Sequence, residues 1–298
     1  MNRHDAIVIG GSFAGLSAAM YIARARRSVC VVDAGRPRNR FSDHAHGFFT
    51  RDGSAPGAML ATARAQVAAY PTVHFVDGEA ASAVKQADGY SVALAGGEVL
   101  EGARLVLAFG ISDELPAVPG LAARWGKSVL HCPYCHGFEF GGQRLGVLHV
   151  SPMSVHQALL IAEWGPTTLY LNGASEPDAE ALAQLEKRGI AIEAAPVQAL
   201  HGEGTGLSAI ELAGGRMADI DALYVGTRTR FNSTIAEQLG CELDEAPFGP
   251  IVRTDEQKAT SVAGVYAAGD ITRGAHSATF ASADGVMAGT ALHRSLVF

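Results

Sequence analysis

Apolar residues run without interruption through Ala6, Ile7, Val8 and Ile9, and again through Val29, Cys30, Val31 and Val32. Short unbroken apolar runs bounded by turn residues predict strands covered on both faces. Between them, Leu16, Ala19, Met20 and Ala23 recur with a period near 3.6 and predict a helix with one apolar face. The turn joining strand to helix is Gly10-Gly11-Ser12-Phe13-Ala14-Gly15, so residues 4–35 read as strand, tight turn, helix, strand. The same order returns over 144–173, "RLGVLHVSPMSVHQALLIAEWGPTTLYLNG". Setting Ser12 against Ser151 without a gap sets Asp33 against Asn172, the pattern of an internal duplication. Further apolar runs that end in glycine stand at 105–110, "LVLAFG", and within 264–273, "GVYAAGDITR".

Strands alternating with helices predict an α/β fold, here of two Rossmann-like units. In the first unit Gly10 and Gly15 occupy the outer positions of G-x-G-x-x-G, and Ser12 replaces the middle glycine. A pyrophosphate must approach the backbone there; serine is small and can hydrogen-bond phosphate. Asp33 closes the second strand, where an acid holds ribose hydroxyls. The second unit keeps the pattern without the chemistry. Its counterparts of Gly10, Gly11 and Gly15 are His149, Val150 and Ser154, and Pro152 in the turn has no amide hydrogen. "NGASEPDAEAL" after its second strand offers acids and no arginine for a 2′-phosphate. The expectation is a nucleotide-binding fold that binds NADPH poorly or not at all.

Composition narrows the class. A chain of 298 residues suggests two domains, and 48% hydrophobic with 18% charged residues supports packed cores. The 35 glycines suit tight turns and close backbone approaches. A net charge of −7 speaks against a nucleic-acid partner, and the one basic cluster, Arg36-Pro-Arg-Asn-Arg40, reads equally as a solvated loop or an anion site. No apolar run reaches the ~18 residues of a membrane span. The strand pattern starting at Ala6 leaves no room for a signal peptide, so a cytoplasmic setting is expected, where structural disulfides are rare. Cys30 and Cys241 read as small core residues, leaving Cys132 and Cys135 as a pair by spacing.

That pair sits in "SVLHCPYCHGFEF". Three readings are open: a zinc site, a structural pair, or a redox disulfide. His131, Cys132, Cys135 and His136 number four ligands, but sequence neighbours do not readily surround one ion, and no second C-x-x-C exists. Redox chemistry needs a thiolate and a group that moves protons with the electrons. His136 beside Cys135 is the first candidate for that role and His131 beside Cys132 the second. No metal is expected.

"GVYAAGDITR" resembles the second flavin fingerprint of two-dinucleotide flavoproteins, and "LVLAFG" resembles their A-T-G segment with Phe109 in place of threonine. With the first-unit turn and the C-x-x-C, the whole chain resembles the low-molecular-weight thioredoxin reductases. It departs from them in carrying His136 where an aspartate is usual and in lacking the second-unit glycines and basic signature. These departures bring it closer to the dithiol oxidases of the gliotoxin and holomycin type. The resemblance implies FAD as cofactor, a small dithiol or disulfide as substrate, oxygen as acceptor with hydrogen peroxide as product, and a homodimer. NADPH- or ferredoxin-dependent disulfide reduction and a non-enzymatic flavin redox sensor stay open. It implies an FAD domain of residues 1–114 and 248–298, interrupted by an NADPH-type domain of 115–247. It assigns Gly10, Ser12, Phe13, Ala14 and Gly15 to the pyrophosphate and Asp33 to the adenosine ribose. Asn39 and Arg40 lie where the chain passes FAD, Ala81 offers backbone contacts near the adenine, and Gly110 lines the cofactor. Gly269 and Asp270 approach the ribityl-phosphate portion; Ser277 and Ala278 approach the flavin pyrimidine edge. It also points Cys132 toward substrate and Cys135 toward the flavin. "FSDHAHGFFTRDG" (41–53) reads as a flavin- or substrate-facing wall with His46 and Phe48, or as a loop packed on the FAD domain; Trp164 reads as core.

Overall fold

A computed structural model describes residues 3–298. The first apolar run becomes β1 (His4–Ile9), the periodic segment α1 (Phe13–Arg24) and the second run β2 (Val29–Asp33). A 3₁₀ turn over Arg38–Phe41 leads to α2 (Pro56–Ala68) and β3 (Val73–Asp77), then to β4 (Ala80–Gln86), β5 (Gly89–Leu94) and β6 (Val99–Leu107). β7 (Ile111–Glu114), α3 (Leu121–Arg124), β8 (Val129–Leu130) and α4 (Pro133–His136) carry the chain into the second unit. That unit holds β9 (Leu145–Leu148), α5 (Met153–Ile161), β10 (Thr167–Tyr170), α6 (Ala179–Lys187) and β11 (Ala191–Glu193). A three-stranded meander, β12 (Val197–His201), β13 (Ala209–Leu212) and β14 (Arg216–Asp219), precedes β15 (Ala222–Val225). β16 (Arg228–Phe231), α7 (Ile235–Gln238), β17 (Leu243–Ala246), β18 (Gly249–Val252), β19 (Val265–Ala267) and α8 (Ala278–Arg294) complete it.

The first sheet has the order β3-β2-β1-β6-β5-β4, with β19 also on β6; β1, β2, β3, β6 and β19 pair in parallel and β4, β5 and β6 antiparallel. The second sheet, β11-β10-β9-β15-β8, is parallel throughout. Both halves of the duplication therefore adopt the same β-α-β arrangement. Alternation along β1 divides its side chains between two cores: Ile7 and Ile9 on one face, Ala6 and Val8 on the other. Ile235, Ala236 and Cys241 pack into the first core as well. By packing, the chain thus rejoins the first unit ahead of residue 248, and the hairpin of β17 and β18 straddles that position. The reason is the antiparallel pairing of β7 with β16, the strands by which the chain leaves and returns.

α8 lies against α1 at backbone distance. A Cβ on Gly285 would stand 2.0 Å from the Ala14 carbonyl oxygen, and one on Gly289 2.6 Å from that of Ala18. Small residues thereby bring the N-terminal ends of both helices to the carboxyl ends of β1, β2 and β19, the edge at which open α/β sheets bind ligands. No helix among the described residues is long and apolar enough to cross a membrane.

Candidate active site

One cavity of about 780 Å³ opens at that edge. Gly10, Ser12, Phe13, Ala14, Asp33, Asn39, Arg40, His46, Gly110, Gly269, Asp270, Ser277 and Ala278 line it, and so do His131, Cys132, Cys135 and His136. Two residues assigned from the sequence do not. Ala81 is exposed beside an irregularity in the β4–β5 ladder between Ala80 and Ser82, and its neighbour Ala80 is the lining residue. Gly15 lies beneath the turn, where a Cβ would stand 1.8 Å from the Gly10 carbonyl oxygen; it sets how closely helix and strand pack.

The turn is built for an anion. Gly10 has φ +115°, and a Cβ there would stand 2.1 Å from the Ala108 carbonyl oxygen. Ser12 caps α1 without a side-chain hydrogen bond, and no acid occupies the first helical turn, so the leading amides keep their donors. Asp33 accepts from the Gly35 amide at 2.9 Å and meets Arg64 Nη1 at 3.3 Å; Arg64 also pairs with Asp77 and stacks over Phe75. Across the cavity Ser277 caps α8 by accepting from the Phe280 amide at 3.0 Å. Gly110 is held by its carbonyl, which accepts from the Asn232 amide at 3.1 Å.

The sulfurs stand at the opposite wall. Pro133 starts α4 and Cys132 caps it, with Sγ accepting from the Cys135 amide at 3.2 Å. Cys132 and Cys135 are joined in a disulfide, Cα to Cα 5.4 Å. Trp164 packs against the core of the second unit, around Leu145, Val147 and Ile161, and props α4 from below; a Cβ on Gly137 would stand 2.7 Å from its Nε1, and its ring meets Tyr134 edge-on at 5.6 Å. The histidine-rich loop clasps this wall to the first unit. His46 Nε2 lies 3.4 Å from Glu139 and Nδ1 3.5 Å from Asp52, while the Thr279 hydroxyl donates to the Gly47 carbonyl at 3.2 Å. Phe48 packs on Phe13 at 5.9 Å, outside the cavity lining, whereas His46 faces in.

Residues 4–285 match the family described as pyridine nucleotide-disulphide oxidoreductase. The chain belongs to that family. Thioredoxin reductase tcpT of Claviceps purpurea is 34% identical over 281 residues, covering 90% of this chain and 87% of tcpT. Thioredoxin reductase sirT of Leptosphaeria maculans is 32% identical, covering 97% and 93%. Among solved structures, an oxidoreductase from Agrobacterium tumefaciens superposes with a TM-score of 0.95 at 43% identity, covering 100% of this chain and 99% of its own. HlmI superposes with 0.93 at 38% identity, covering 99% and 93%. This disulphide oxidoreductase is thus thioredoxin reductase-like, and FAD is the cofactor of the type. The cavity fits it: an amide cradle no side chain may enter, an acid at the ribose position, and a second helix N-terminus opposite.

Within the oxidoreductase, a polar network missed by the sequence reading crosses the cavity. Arg38 holds Asp113 through two bonds of 2.9 and 2.6 Å and Asp270 through one of 3.1 Å, and Thr227 donates to Asp113 at 2.8 Å. The carboxylate of Asp270 expected to meet the cofactor thus also has a protein partner. Arg38 lay unsingled inside the Arg36–Arg40 run, and no local pattern announces a partner 232 residues away. Burial pushes Asp113 up, yet its bonds to Arg38 hold it below the usual carboxylate range. Burial pushes His131 down to about 4, with Arg38 adding to the effect, and burial likewise lowers His136 and His276. His276, also missed, directly precedes Ser277 and lines the cavity.

The second-unit turn is closed. Ser154, the counterpart of Gly15, accepts from the amides of Val150 at 3.0 Å and Ser151 at 3.3 Å. Pro152 caps α5 and offers no donor. The amides that cradle a phosphate in such a unit are spent on the chain's own serine.

Proposed function

We propose that the protein oxidises small-molecule dithiols to disulfides with molecular oxygen as acceptor, releasing hydrogen peroxide. The observation that supports this best is the pairing of one open nucleotide cradle, sharing its cavity with the Cys132–Cys135 disulfide, with a second cradle plugged by Ser154 and Pro152. Electrons then have an entry through sulfur and no nicotinamide seat.

FAD, held by the Gly10 turn, Asp33 and the start of α8, supplies a two-electron acceptor that oxygen can re-oxidise. The chain's own residues handle sulfur and protons. A substrate thiolate attacks Cys132, opening the disulfide; the second substrate sulfur displaces Cys132, and the substrate leaves closed. His131, neutral at pH 7, takes a proton as the substrate thiol becomes a thiolate; Cys135 leaves the disulfide already as a thiolate, and His136 beside it is the second base at the pair. Cys132 faces substrate and Cys135 faces the flavin. The Cys132→Ser variant should keep a long-wavelength thiolate–flavin absorbance that Cys135→Ser lacks; the reverse pattern reverses the assignment. By the same family likeness the protein is a homodimer.

A second reading, NADPH-dependent reduction of a disulfide, is favoured by the names of tcpT and sirT. Anaerobic mixing with NADPH or with a dithiol separates the two. Bleaching of the flavin by dithiol alone, followed on readmission of air by oxygen uptake and an equivalent of peroxide, is the expected outcome. Rapid bleaching by NADPH would establish the second reading instead.

A further inference from the structure

His131 and His276 enter the cavity from different units, one directly before Cys132 and the other directly before the cap of α8. Their ring centroids lie 6.2 Å apart with planes tilted by 34°. His276 Nε2 lies 3.0 Å from the Arg273 carbonyl oxygen. A carbonyl only accepts, so Nε2 carries the hydrogen and Nδ1 presents a bare lone pair. That Nδ1 is buried with no hydrogen-bond partner among the described residues, and so is Nδ1 of His131. A buried polar atom without a partner is costly, and two of them in neighbouring rings next to a disulfide call for a use. The groups facing His276 are Asp270 and Asp113, which favour a proton on it, and Arg38, which opposes one. His131 faces Arg38, Asp113 and His276 itself, with the Phe248 ring edge-on at 5.7 Å. A water between the two Nδ1 atoms would satisfy both and link the rings.

We propose that His276 is the second station of a proton relay, receiving through His131 the proton that leaves a substrate thiol during exchange with the Cys132–Cys135 disulfide. The dithiol loses two electrons and two protons as its sulfurs join. The Cys132–Cys135 bond breaks and accepts both electrons; one proton stays on Cys132, the other passes to the imidazole pair, and Cys135 is left as thiolate. Run backwards, the same pair supplies the proton for disulfide reduction, so the relay does not depend on the direction of electron flow. It rests on the reading of His131 as first acceptor.

The test uses FAD-loaded protein, anaerobically, with dithiothreitol as reductant. Opening of the disulfide is read by mass after alkylation of Cys132 and Cys135, across about pH 5 to pH 8. His276→Gln keeps a donor for the Arg273 carbonyl and removes the titrating nitrogen. It should slow disulfide opening about 10-fold to 100-fold at neutral pH and flatten the pH profile. A rate within about twofold of the parent and an unchanged profile overturn the relay. His131→Gln run in parallel separates the two claims: slowing there with none in His276→Gln sinks the relay alone, and slowing in neither sinks both. If His276→Gln sheds its FAD, His276→Ala with added imidazole carries the test; rescue supports the relay, and no rescue with FAD retained overturns it.

Discussion

His131 shows how much a single residue's surroundings decide. Its folded value of about 4 lies below the ordinary value of about 6.5, so between these limits the unfolded chain binds more protons than the folded one. Stability contributed by neutral His131 is therefore complete above about pH 6.5 and lost as pH falls toward 4, on the order of 3 kcal/mol. Thermal unfolding of FAD-loaded protein at the two ends should show the parent losing more stability than His131→Gln; an equal loss would refute the assignment. At Gly10 the constraint is steric. Gly10→Ala places a methyl 2.1 Å from the Ala108 carbonyl oxygen at φ +115°, and the purified variant should be colourless; a full complement of FAD would contradict the cradle. At this scale the sequence was legible wherever a residue type carries its reason with it: Gly10, Asp33, Cys132 and Cys135. Ala80 rather than Ala81 lines the cavity, beside an irregularity in the pairing of β4 with β5 that no local pattern announces.

Elements read well for the same local reason. The apolar runs and the 3.6 period of α1 are properties of neighbours in sequence, and so is the duplication that set 144–173 beside 4–35. What the pattern did not give is how elements meet. Nothing in the pattern singles out Gly285 and Gly289, yet they let α8 touch α1 and so aim both N-termini at one cavity. Gly285→Ala would put a methyl 2.0 Å from the Ala14 carbonyl oxygen, and overpacking of this kind costs about 1–3 kcal/mol. The variant should melt lower and hold FAD more weakly; unchanged melting would show that the helices have slack. The loss of second-unit glycines was visible in the sequence. That Ser154 uses up the freed amides was not, because the bond depends on the turn's shape.

At the scale of the molecule, Arg38 joins three distant parts of the chain: its own loop after β2, Asp113 on β7 and Asp270 after β19. The side chains of Asp113 and Asp270 are 7% and 18% exposed, so removing Arg38 strands two poorly solvated carboxylates. Arg38→Met should cost about 3–5 kcal/mol in unfolding experiments. A loss below about 1 kcal/mol would show the pair to be solvated. Such contacts, like the approach of His131 to His276, join residues far apart in sequence, and no short window contains both. The central claim is also one of juxtaposition: the disulfide and the flavin cradle share one cavity so that sulfur and cofactor exchange electrons. Anaerobic titration of FAD-loaded protein with a dithiol, set against the Cys132→Ser/Cys135→Ser double variant, measures this directly. The parent's flavin should bleach in step with dithiol added and the double variant's should stay oxidised; equal bleaching of both would mean that electrons reach the flavin without these sulfurs.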